Sequence, residues 1–171
     1  ANRGACVQPC RRGYTVQDRD KEITLAIENE YIMSPKDLCT LPFLDKVLDA
    51  GVKILKIEGR GRSPEYTKVT VGVYSEAVKA IQNGEFTEEK IAQWTERLRS
   101  VYNRDFWDGY YLGRKMGEWT QRYGSQATKT KIFVGTVTNF FAKINVAEIR
   151  METQDLKVGD VIVSGPNADI K

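Results

Sequence analysis

Cysteines are the first residues in this chain with chemistry to offer. Cys6 and Cys10 form a C-x3-C pair among Gly, Pro and Arg, and Cys39 follows much later. In a cytoplasmic chain, cysteines in that setting point to metal or redox work more than to a disulfide. Three thiolates are one short of a four-cysteine iron–sulfur or zinc site, and the sequence contains no histidine to complete one. A fourth ligand would have to lie upstream. The alternative is three reduced thiols, two near a surface loop and one packed in a helix. The lack of imidazole also removes Ser-His and Cys-His nucleophile pairs from this chain.

Charged loops come next. Ser34, Lys36 and Asp37 precede one expected helix, and Glu58, Arg60 and Arg62 precede another. If the strands before them are parallel, both groups project from the carboxyl edge of the sheet, where α/β folds carry their sites. A Glu between backbone N–H groups and two guanidinium forks suits an anionic ligand. The alternative is a local ion pair of Glu58 with Arg60 or Arg62. Further on, Phe106, Trp107, Tyr110, Tyr111, Trp119 and Tyr123 interleave with Arg104, Arg114, Lys115 and Arg122. Aromatic faces beside cations suit unpaired bases, and equally suit a seam between domains.

These residues need a scaffold, and 171 residues with 41% apolar and 29% charged side chains can build one. The net charge of +3 permits nucleic-acid contact without pointing to it. No run approaches the roughly 18–20 apolar residues of a membrane helix, and the opening residues are not expected to be a signal peptide. Short strands are expected around residues 14–16, 23–27 and 31–33. Ser34-Pro35 reads as a helix start, followed by an apolar stripe through Leu38, Leu41, Leu44, Val47 and Leu48 with Pro42 interrupting. Residues 52–57 read as a buried strand. Ser63-Pro64 and Thr87 cap two further helices, with Tyr66, Val69, Val73, Tyr74, Ala77 and Ile81 inward on the first and Ile91, Trp94, Leu98 and Val101 inward on the second. Alternation of strand and helix implies an α/β domain with a parallel sheet over 1–124. After a linker, 130–171 reads as a small antiparallel unit of three strands, around 132–136, 146–149 and 161–163, too few to close a barrel. Both ends read as cut through structure, so a piece of a longer protein is expected.

Four stretches match a known family in order and spacing. They are Asn2 to Arg11, Tyr31 to Cys39, Lys56 to Arg60 and Ser63 to Tyr66. They resemble peptidase family U32, and Asn103 to Tyr110 looks like its next motif, with Asp105 where the family usually has Gly. The tail from Val134 is similar to the family's C-terminal β-barrel, which itself resembles domain two of elongation factor Tu. The resemblance implies an incomplete C-terminal part of a TIM-like barrel, then the start of the β-barrel. It implies a collagenase-type peptidase, a hydrolase, by family label. It also implies kinship with proteins of tRNA wobble-uridine hydroxylation, ribosomal RNA hydroxylation and oxygen-independent ubiquinone synthesis. Some of these bind an iron–sulfur cluster through four cysteines, two of them upstream of this region. Carried over, Cys10 and Cys39 are the candidate ligands, with Cys6 as the alternative to Cys10, and no cluster is expected on this chain alone. In the peptidase reading, acting on protein or peptide, Glu58 is the conceivable general acid or base if burial raises its pKa. In the RNA-modification reading, forming 5-hydroxyuridine in tRNA, Arg60 and Arg62 with Lys36 and Asp37 hold the anionic substrate. A third reading is a binding fragment that oligomerises or needs the N-terminal half of its barrel.

Overall fold

The computed structural model describes residues 14–20, 22–26, 34–59, 62–122 and 124–164. The chain divides into two compact units, Ala1–Thr128 and Lys129–Lys171. In the first, β1 (Thr15–Gln17) and β2 (Thr24–Ala26) form an antiparallel hairpin. Its turn is closed by Asp18, whose carboxylate accepts the Ile23 N–H at 3.2 Å.

Extended backbone, not a helix, follows Ser34. Successive N–H groups of a strand point to opposite sides, and here both sides are taken. Asp37 and Cys39 donate to the carbonyls of Asp105 and Trp107, each at 2.9 Å, which pairs β3 (Asp37–Leu38) in parallel with β4 (Phe106–Trp107). On the other side Lys36 N donates to Glu118 O and Thr120 N donates to Ser34 O. The Ser34-Pro35 helix start is therefore corrected: strand partners some 70 to 85 residues away claim these groups first. The helical stretch begins with a 3-10 turn, Leu41–Phe43, where Pro42 occupies an early position that needs no N–H partner, and continues as α1 (Leu44–Asp49). Cys39 thus sits at the end of a strand, not one turn into a helix.

The other helix starts form as read. Ser63 accepts the Tyr66 N–H at the head of α2 (Pro64–Gln82), and Thr87 accepts the Lys90 N–H at the head of α3 (Glu88–Arg99). Gly84, at φ +70°, supplies the left-handed residue that lets the chain leave α2. Val73, Ala77 and Ala80 of α2 meet Cys39, Leu41, Leu44, Trp94 and Leu98 in one core. Trp94 lies stacked near Phe86 and donates its indole N–H to Glu76.

Residues 52–57 form neither helix nor ladder among the described residues, and Ile54 is 86% exposed. The expected buried strand is corrected here. Leu55 leans on the core, while Val52 and Ile54 are exposed, with no strand paired to this segment among the described residues. Within the described residues the sheets are three two-stranded pairs, and no barrel closes.

In the second unit β5 (Gly135–Phe141) pairs antiparallel with β6 (Val146–Met151), with a register shift between Val137 and Asn139. Asn145, at φ +54°, makes the turn. A Cβ on Gly135 would strike the Arg150 carbonyl, so the strand can approach this closely only with glycine there. The third expected strand is not found among the described residues: 161–164 carry no ladder there, and Val161 is 93% exposed.

Candidate functional site

The parallel β3–β4 pair sets two carboxylates at one end of the first unit. Asp37 accepts from one nitrogen of Arg62 through both oxygens, at 3.1 and 3.3 Å, and from the Arg104 backbone N–H at 3.0 Å. The Arg62 guanidinium also lies 4.0 Å from the Tyr102 ring centroid and 5.4 Å from that of Tyr66. Arg62 is thereby spent on the fold.

Lys36 bridges Glu118 at 2.8 Å and Asp105 at 3.1 Å. The Glu118 hydrogen bond, opposed by burial and supported by Asp105, holds the Lys36 ammonium above its usual range. Burial pushes the Asp105 carboxyl up, but the Phe106 N–H and Lys36 outweigh it and keep the group below the ordinary carboxylate range. Both groups are charged at neutral pH.

Asp105 sits at φ +67°, a left-handed backbone that side chains resist. Buried Asn103 holds it there: its carboxamide oxygen accepts the Asp105 N–H at 3.0 Å, and its NH2 donates to the carbonyls of Arg99 and Val101. Asp105→Gly and Asp105→Ala both delete the carboxylate, so their difference isolates the backbone. The glycine variant is expected to be more stable than the alanine variant by about 1 kcal/mol in urea melts. Coincident melts would remove the strain from this account.

Beside this lattice lies a cleft of about 320 Å³. Lys36 and Asp105 line one part, Asn103 and Thr120 another, and Arg99, Gln121, Arg122 and Gln126 complete it. Arg122 appeared in the sequence only as one cation of an aromatic-basic stretch. The two glutamines and Arg99 had no signal there. Of that stretch, Phe106 leans on the core, Trp107 and Tyr110 meet edge to face at 5.3 Å, and Tyr110 and Tyr111 are exposed.

Among the other expected site residues, Glu58 is exposed. Arg60, Cys6 and Cys10 lie outside the described residues, as does Tyr123. Cys39 is buried, and burial pushes its thiol pKa up, the sulfur standing 3.8 Å from the Tyr74 hydroxyl. A ligating thiol must lose its proton. Among the described residues no group of three or more Cys, Asp or Glu converges as a metal site. Of the three expected thiols, Cys39 alone lies among the described residues, and no step is derived through a cluster.

Residues 1–121, which carry this lattice and most of the cleft, match the family model of Peptidase family U32. The chain belongs to that family. This U32 chain is 53% identical over 171 residues to a protein named "Collagenase" from Porphyromonas gingivalis, covering 99% of this chain and 41% of the relative. It is 31% identical over 176 residues to "tRNA hydroxylation protein P1" of Bacillus subtilis, covering 99% of this chain and 41% of the relative. The chain thus spans less than half the length of either. No solved structure matches the U32 chain. Among its described residues no helix is long and apolar enough to cross a membrane.

Proposed function

We propose that the whole protein acts on tRNA, in forming 5-hydroxyuridine at the wobble position. The observation that carries this reading is the polar cleft, whose lining sets Lys36, Arg99 and Arg122 against one lining carboxylate, Asp105, while Glu118 and Glu96 pair with Lys36 and Arg99 from outside the lining. Anionic, hydrogen-bonding substrates suit such a lining, and apolar peptide side chains do not. The named tRNA hydroxylation relative supports it. In this reading the first unit is the C-terminal part of a TIM-like barrel, the second begins a β-barrel domain, and the protein works in the cytoplasm where tRNA is modified. Cys39 with Cys10 or Cys6 remains the ligand set that family resemblance implies.

A second reading, peptide hydrolysis, is favoured by the 53% identity to a protein named collagenase. Nucleoside mass spectrometry of tRNA from a host lacking the complete gene separates the two. The hydroxylated wobble uridine is expected to vanish and to return on complementation. An unchanged nucleoside profile, together with gelatin hydrolysis by the purified whole protein, would establish the peptidase reading instead.

A further inference from the structure

We propose that the cleft beside the Lys36–Asp105 pair is a mononucleotide subsite, taking one phosphate against Arg99 and Arg122 and the polar edge of a uracil base against the carboxamides of Gln121 and Gln126. This rests on the RNA reading above and narrows it to one nucleotide.

Charge supplies the first argument. Lys36 is neutralised by two carboxylates, so an incoming anion must be met by other groups. Arg99 makes an exposed pair with Glu96 three residues earlier and feels the Asp105 carboxylate across the cleft; the exposed pair is worth little in water and is readily exchanged for phosphate. Arg122 has no side-chain partner among the described residues, and a guanidinium offers phosphate two parallel donors.

Hydrogen-bonding capacity supplies the second. The interior polar groups are already used: Asn103 is satisfied at both ends of its carboxamide, and the Thr120 hydroxyl donates to the Arg122 carbonyl. The Gln121 and Gln126 side chains have no partner among the described residues, although both border the cleft. A carboxamide offers an acceptor beside donors, the complement of the imide edge of uracil.

Position and size supply the third. A volume of about 320 Å³ lies at the small end of ligand sites, room for one nucleotide and not for a helix. Gln126 N donates to Asn103 O at 2.7 Å and Thr128 N donates to Arg99 O at 2.9 Å. The segment carrying Gln126 is thus tied to the end of α3, so the arginine and the glutamine are held on one frame.

The test is calorimetric titration of the whole protein with uridine 5′-monophosphate. Saturable binding is expected, weakened about tenfold or more by Arg122→Ala and similarly by removing the phosphate from the ligand. Gln121→Glu, which exchanges an amide for a like-charged carboxylate, is expected to weaken it further. Arg122 is exposed, so an unaltered melt will certify that its variant folds. Inorganic phosphate binding as tightly as the nucleotide would overturn the base contact. No nucleotide binding, while the whole protein still binds tRNA equally well with and without Arg122→Ala, would overturn the subsite and leave the RNA reading standing. Binding of neither nucleotide nor tRNA would sink both.

Discussion

Asp37→Ala is expected to lower the unfolding free energy of the chain by about 3 kcal/mol, the lower end of the loss when one partner of a largely buried ion pair is removed. The side chains of Arg62 and Asp37 are 12% and 22% exposed, so water repairs little of the break. Two consequences add. The Arg62 guanidinium stays against Tyr102 with its counter-charge gone, and the Arg104 N–H, at the turn into β4, loses its acceptor. Asp37→Asn keeps an acceptor and loses only charge, so about half that effect is expected. Arg62→Lys keeps charge and loses the flat stack on Tyr102, and belongs between the two. Urea melts of the three variants, with the Asp37→Ala/Arg62→Ala double variant closing the cycle, measure the coupling directly. Melts of Asp37→Ala that overlay the parent would show that the pair is ornamental. Because Asp37 is bonded both to the loop before α2 and to the turn beside the cleft, the same variant is expected to weaken nucleotide binding even where the chain remains folded.

That pairing also shows where sequence reading stops. Arg62 was legible as a cation at a strand end, with a local pair of Glu58 to Arg60 or Arg62 as one alternative. The structure gives it Asp37, 25 positions back, because β3 and the loop before α2 converge in space. Local signals were readable where local energies decide: Ser63 and Thr87 cap helices because a hydroxyl three residues before an orphan N–H is enough. The same Ser-Pro signature at Ser34 came out as strand, since pairing with residues 105–107 and 118–120 outbids a cap worth about 1 kcal/mol. Asp105 was visible as the departure from a family glycine, and its left-handed backbone gives that departure a physical meaning. Gln121 and Gln126 belong to no periodic pattern, and nothing short of the fold could have put them beside Arg99.

Leu44→Ala is expected to cost about 3–4 kcal/mol, because its side chain is 0% exposed and the cavity left behind cannot fill with water. Leu44 opens α1 and packs in the cluster with Leu41, Val73, Ala77, Trp94 and Leu98, so the void would open where three helices meet. Leu44→Met keeps the volume and should lose under about 1.5 kcal/mol. Ile54→Ser supplies the contrast. Were residues 52–57 a buried strand, that change would rank with Leu44→Ala. At 86% exposure it should move stability by no more than about 0.5 kcal/mol. Urea midpoints for Leu44→Ala and Ile54→Ser therefore decide between the two pictures of this segment. A large loss at Ile54 would mean that an apolar surface covers it in solution, and would return residues 52–57 to the interior of a sheet.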